Sequence, residues 1–231
     1  MRTVLLFDID GTLVSTGGAG RRAMVGAFAS LHGKDDVFEG TSFAGMTDRA
    51  IVRQGLRRVV GEASEIAEAE IDRALDAYLT LLEAELAKAD GYRVLPGVMA
   101  LLESLHGTPD VAIGLGTGNV RRGAYAKLAR GGLDATFSFG GFGCDAEDRV
   151  ELLRAGARRG AEALGASLES CRVVVIGDTP KDVAAAKGIG ARCIGVGTGS
   201  YSVADLTTCG AHQAFPTLEH DAVRVALFEH R

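Results

Sequence analysis

Residues 3–15 read TVLLFDIDGTLVS. From Thr3 to Phe7 the run is apolar and rich in strand formers, with no polar alternation. That predicts a strand buried on both faces of a parallel sheet. The chemistry then changes to Asp8, Ile9, Asp10, Gly11 and Thr12. Two carboxylates one residue apart at the end of a buried strand are costly to desolvate unless a cation neutralises them. Gly11 permits a backbone turn that a residue with a Cβ resists. Ligands of open α/β sheets bind at this strand end, so the chain begins by building a carboxylate site. A D-G pair is also a common turn signal, and either acid could cap a turn or helix. That explains the glycine, but not two acids set against an apolar strand.

The 231 residues have room for one sizeable core with an insertion, or for two small domains. A 47% hydrophobic composition with net charge −5 suits a soluble globular chain and speaks against a nucleic-acid partner, which requires a basic face. No apolar run reaches the length of a membrane span, and a start that turns acidic by position 8 is unlike a signal peptide. Cys144, Cys171, Cys193 and Cys209 form no C-x-x-C pair, and the histidines offer no zinc spacing. Free, mostly buried thiols in a reducing cytoplasm are therefore expected. The 32 glycines, roughly twice average usage, cluster at apparent strand ends, where loops approach a ligand.

After the first strand the periodicity is helical. Helices are predicted over Gly20–Leu31, from an Asp48 N-cap to Val60, and over Ile66–Leu86; only Val37–Phe43 looks strand-like. Residues 15–91 read as a helical insertion packed over the sheet, a cap or merely an appendage; its junction beside the carboxylate loop favours a cap. From Tyr92 helices and strands alternate. Strands are expected at Val111–Leu115, Phe137–Phe139, Val173–Ile176, Arg192–Val196 and Gln213–Phe215. Helices are expected after Pro96-Gly97, over Val120–Ala129, Arg149–Leu164 and Val183–Lys187, and from Glu219 to Phe228. This alternation predicts an α/β fold, a Rossmann-like doubly wound parallel sheet built from residues 1–14 and 92–231.

Three strands end in polar, glycine-flanked turns: Asp8–Thr12, Gly116–Asn119 and Gly177–Asp182. In a parallel sheet they share one edge. Thr117 offers a hydroxyl, and Gly118 and Asn119 offer backbone N–H groups at a helix start, a cradle for phosphate. A dinucleotide fingerprint fails because Asn119 stands where glycine is required.

The order DIDGT, GTGN, a cation opening a later helix, then GDTPKD resembles the haloacid dehalogenase superfamily over essentially the whole chain, most of all its phosphoglycolate phosphatase group with a helical cap. The resemblance implies a Mg²⁺-dependent phosphatase acting on a small phosphorylated metabolite, with phosphoglycolate one candidate. It makes Asp8 the nucleophile that becomes an aspartyl-phosphate. Asp10 becomes acid for the leaving alcohol and then base for water. The metal ligands would be Asp8, the Asp10 backbone carbonyl and Asp178, with Asp182 acting through water; hard oxygen donors of this kind suit Mg²⁺. Capping of the helix before Val183 is the plainer role for Asp178 and Asp182.

The family's third motif is usually a lysine. Here Arg149, opening the helix before the Val173 strand, is the best match, and Lys181 is the alternative. Arg49 and Arg21 in the cap are candidates for reading the leaving group, although a solvated helical face explains them equally. A phosphomutase of the β-phosphoglucomutase type shares the core motifs and stays open. A non-catalytic, metal-dependent binding module is opposed by the intact Asp8, Asp10, Thr117 and Asp178. Monomer and homodimer are both compatible with the sequence.

Overall fold

A computed structural model describes residues 1–229. In chain order it begins with β1 (Thr3–Phe7), β2 (Val14–Thr16), α1 (Ala19–His32), α2 (Asp48–Val60), α3 (Glu68–Lys88) and β3 (Tyr92–Val94). There follow α4 (Val98–Leu105), β4 (Val111–Gly116), α5 (Arg121–Ala129), β5 (Gly140–Gly141), α6 (Arg149–Ala163) and β6 (Arg172–Gly177). The chain continues through α7 (Pro180–Gly188), β7 (Arg192–Val196), α8 (Val203–Thr208), β8 (Gln213–Phe215) and α9 (Ala222–Phe228).

Six strands form one parallel sheet in the order β5-β4-β1-β6-β7-β8. The apolar run of β1 is buried throughout because both faces are covered. Leu5 and Phe7 pack with Leu102 and Leu105 of α4, Leu128 of α5 and Leu227 of α9. Val4 and Leu6 face the other way, onto Leu152 and Leu153 of α6, Val183 of α7 and Leu206 of α8. Each fully buried side chain of this size contributes about 1.5–3 kcal/mol relative to exposure. This is the α/β doubly wound arrangement that the alternation predicts.

Helices α1–α3 have a separate apolar core that includes Met24, Phe28, Ile51, Leu56, Ile71, Tyr78 and Leu82. Phe28 meets Phe38 edge-on at 4.8 Å. Val120, at the head of α5, inserts into this second core from the sheet side. Both chain crossings between sheet and bundle lie in one antiparallel ribbon, where Val14 pairs with Val94 and Thr16 with Tyr92.

Several elements differ from expectation. The edge strand is Gly140–Gly141 rather than Phe137–Phe139. A 3₁₀ turn over Asp134–Thr136 delays it, and Phe137 is instead used against Phe7, with ring centroids 6.3 Å apart. Residues 37–40 form a turn and 41–43 are irregular, not a strand. Their carbonyls are satisfied by arginines: Arg58 donates to Val37 O, and Arg21 to Phe38 O and Thr41 O. The N-cap of α2 is Thr47, whose hydroxyl accepts from Ala50 N, so Asp48 is the first helical residue. Ser202 and Asp205 cap the unexpected α8 with a reciprocal box. The thiols are free, but they are less buried than expected: Cys193 is buried and Cys171 half-buried, while Cys144 and Cys209 lie exposed in connecting turns. No helix of the described residues is long and apolar enough to cross a membrane.

Candidate active site

Strand register assembles the site. Phe7 is paired with Leu115 on one side and Ile176 on the other. The residues just beyond, Asp8, Thr117 and Asp178, therefore emerge along one edge of the sheet. After Asp8 the chain turns tightly, with Gly11 N donating to Val14 O at 2.9 Å. Gly11 has φ +83°, and a Cβ there would lie 2.3 Å from Asp178 Oδ2. Glycine is thus required both for the turn and for the close approach of Asp178. Thr12 Oγ1 donates to Asp178 Oδ1 at 3.2 Å and steers that carboxylate.

Carboxylate oxygens of Asp8, Asp178 and Asp182 lie within 4.8 Å of one another, and all three residues are buried. Burial raises Asp8 to about 6, helped by repulsion from Asp182 and Asp10 and opposed by Arg149. Burial and the Asp8 and Asp182 charges raise Asp178 to about 8. An oxygen-only donor set whose members repel one another fits a hard divalent cation. Such a cation would be held chiefly by Asp8 and Asp178. Asp182 is already engaged: its Oδ2 accepts from Thr179 N at 3.0 Å and Thr179 Oγ1 at 2.7 Å, in the box that caps α7.

Its other oxygen receives Arg149. Asp148 caps α6 by accepting from Val150 N and Glu151 N, which leaves Arg149 as the first helical residue beside the sheet edge. Arg149 Nη2 lies 2.5 Å from Asp182 Oδ1 and 3.0 Å from Asp8 Oδ2. Burial weakens the guanidinium's hold on its proton, but Asp182 and Asp8 more than reverse this and raise its pKa. Asp182 therefore serves the helix cap and the arginine together.

Opposite these groups stands a second network. Thr117 Oγ1 accepts from Asn119 Nδ2 at 2.8 Å, and the same amide nitrogen donates to Asp10 Oδ2 at 2.8 Å. Lys127 Nζ donates to Asp10 Oδ2 at 2.6 Å and to Asn119 Oδ1 at 2.5 Å. The Asp10 side chain is 43% exposed, whereas that of Lys127 is 5% exposed.

A cavity of about 370 Å³ opens above both networks and is lined by Asp8, Asp10, Thr117, Gly118, Asn119, Arg149 and Asp178. Its far wall comes from the helical bundle and includes Arg21, Met24, Phe43, Asp48, Ile51 and Tyr78. Arg21 reaches this wall with its guanidinium over the Phe43 ring, 4.6 Å from the centroid. Arg49 is not brought to the cavity. It pairs with Glu68, and with Asp72 at 2.8 Å, because it points off the buried stripe of α2. Lys181 is an exposed residue of α7 outside the cavity lining; burial of its stem and the nearby Arg149 lower its pKa.

The sequence matches the haloacid dehalogenase-like hydrolases over residues 3–190. The chain belongs to this family. Solved structures with the same fold include a hydrolase from Pseudomonas syringae at 19% identity, covering 100% of each chain with a TM-score of 0.69. CbbY from Rhodobacter sphaeroides, solved with phosphate, is 20% identical over 96% of this chain and 97% of its own, with a TM-score of 0.70. A predicted phosphoglycolate phosphatase from Haemophilus somnus 129PT is 17% identical over 97% and 98%, with a TM-score of 0.68. Comparison with curated proteins returns no match.

In this haloacid dehalogenase-like hydrolase two residues join the site that motif reading passes over. Lys127 is one, and Asp48 is the other. Asp48 Oδ2 accepts from Val120 N at 2.8 Å, while Asp48 N donates to Gly118 O at 2.8 Å. The head of α2 is thereby joined to the GTGN turn. Burial raises Asp48 to about 6, against the opposing pull of Lys127. A signal existed for both. Asp48 heads the stripe Ile51, Val52, Gly55 and Leu56, and Lys127 lies beside Ala124 and Leu128 on the buried face of α5. A charge at a position where helical periodicity calls for an apolar side chain marks an interior polar contact.

Proposed function

We propose that this hydrolase is a Mg²⁺-dependent phosphatase that cleaves a small phosphate monoester through an aspartyl-phosphate on Asp8. The observation that carries the reading is Asp8 itself, buried between Arg149 and Asp178 at the floor of a cavity whose opposite side presents Thr117, Asn119 and Asp10. Asp8 and Asp178, with the Asp10 backbone carbonyl, would hold the cation; Asp182, whose oxygens already accept from Thr179 and Arg149, would place Arg149 instead of reaching the ion through water. The bound ion would supply charge neutralisation between carboxylate and phosphate.

With Asp8 Oδ2 tied to Arg149, its other oxygen attacks phosphorus as the bond to the leaving oxygen breaks. Asp10 delivers a proton to that oxygen, then takes one from the water that cleaves the aspartyl-phosphate. Thr117 and the N–H groups of Gly118 and Asn119 orient the phosphoryl oxygens, and Arg149 offsets charge gathering there. Residues 15–91 act as a cap that excludes water and reads the leaving group. Arg21 lies on the wall that an anionic leaving group such as glycolate would meet, so phosphoglycolate is the first substrate to try.

The test is phosphate release from p-nitrophenyl phosphate and a panel including phosphoglycolate, with and without Mg²⁺, by the parent and by Asp8→Asn. Mg²⁺-dependent release that Asp8→Asn abolishes is expected. Turnover by Asp8→Asn within tenfold of the parent would remove the covalent step. Isomerisation of a sugar phosphate without net phosphate release would favour the phosphomutase reading.

A further inference from the structure

A buried ammonium needs a reason. Lys127 sits inside the protein with its side chain 5% exposed, and charges in such places are retained only when paired and hydrogen-bonded. A purely structural lysine would bond the other buried charge nearby, Asp48. Yet the Asp48 carboxylate takes its hydrogen bond from Val120 N, whereas Lys127 Nζ bonds Asp10 Oδ2 and Asn119 Oδ1. Asn119 Nδ2 donates to the same Asp10 oxygen. Two donors converging on Oδ2 fix the plane of the carboxylate, and among the described residues no hydrogen bond engages Oδ1. The bundle closes over the ammonium: a Cβ on Gly20 of α1 would lie 3.4 Å from Nζ and 3.7 Å from the Tyr78 hydroxyl of α3.

We propose that Lys127 is the positioning residue for Asp10, holding one carboxylate oxygen against Asn119 beneath the helical bundle so that the other meets the leaving oxygen. This rests on the reading of Asp10 as the leaving-group acid. Lys127 also lines the cavity and bonds Asn119, so selectivity for the leaving group is what separates an effect carried by Asp10 from one on phosphate binding. A misplaced Asp10 harms substrates in proportion to how much their leaving group needs a proton.

The experiment measures kcat/KM, which is blind to the later water step, for a series of phosphate monoesters from p-nitrophenyl through phenyl to ethyl phosphate. Lys127→Met should lower kcat/KM for ethyl phosphate by on the order of 10–100-fold and for p-nitrophenyl phosphate by about threefold or less, steepening the dependence on leaving-group pKa. Lys127→Arg should recover part of the loss. In an Asp10→Asn background, Lys127→Met should have no further effect. Should Lys127→Met not fold, Lys127→Gln, which removes the charge but keeps a polar group, is read by the same slope. Asp10→Asn separates the two ideas. If it is selective for poor leaving groups and the Lys127 variants lose activity uniformly, the positioning role is overturned alone. If Asp10→Asn is itself unselective, the acid role falls and the positioning role falls with it.

Discussion

Arg149 and Asp182 meet at 2.5 Å, with Asp182 wholly buried and its second oxygen spent on capping α7. The same arginine nitrogen is 3.0 Å from Asp8. The start of α7 thus holds the arginine, and the arginine holds the Asp8 carboxylate. Arg149→Ala should lower kcat/KM by on the order of 10²–10³, the scale of one transition-state electrostatic contact. Arg149→Lys should restore only part, since a single ammonium cannot present the paired Nε and Nη2 donors that the guanidinium turns on Asp182. Lys181→Ala is the control and should stay near the parent. A silent Arg149→Ala beside a crippled Lys181→Ala would transfer the role to Lys181.

The repelling acids make a signed prediction about pH. Without metal, Asp8 rises from 3.8 to about 6 and Asp178 from 3.8 to about 8. A carboxyl with a raised folded pKa contributes stability that is complete below its unfolded value and lost as pH climbs through the folded one. Metal-free protein should therefore lose stability from about pH 4 upward, with Asp178 carrying the part between about pH 6 and about pH 8 after Asp8 has ionised. Cation binding needs the ionised form, so the Tm increase given by Mg²⁺ should grow over that interval. Thermal melts with and without Mg²⁺ decide it. A constant increment in the parent, or a growing one in Asp178→Asn, contradicts the assignment.

Gly118 reports on contact between bundle and sheet. A Cβ there would lie 2.3 Å from Met46 O and 2.9 Å from Thr47 Cα, both backbone atoms. Gly118→Ala must push the 46–48 segment away from the GTGN turn. A displacement near 1 Å in such a place costs roughly 10²-fold in rate, and kcat/KM for the panel should fall by that order. Unchanged kinetics would mean that this contact is not kept during turnover.

Arg49 should matter little to the reaction. Its guanidinium is committed to Glu68 and Asp72 on the outer side of α2. Partly exposed pairs of this kind contribute about 0–1 kcal/mol, so Arg49→Ala should shift stability slightly and leave KM within about twofold for both anionic and neutral leaving groups. A KM rise confined to anionic substrates would return Arg49 to the site.

The core architecture was legible because its cause is local. A five-residue apolar run, the glycine after two acids and the later alternation of strands and helices each carry their meaning within a few positions. Asp8, Thr117 and Asp178 could be placed together from sequence, since parallel strands deliver their carboxyl ends to one edge. Arg149 was legible as the residue opening the right helix. The sequence by itself thus determined the sheet and the edge at which Asp8, Thr117 and Asp178 emerge. Tertiary structure alone decided which charges on the helices face inward. Arg49 and Asp48 are neighbours, yet helical rotation sends one to solvent-side acids and the other to the GTGN turn. Lys127 is joined to Asp10 by 117 positions of chain and a 2.6 Å bond. Such pairings depend on how α1, α3 and α5 pack, and packing is a property of the whole fold that no single stretch encodes.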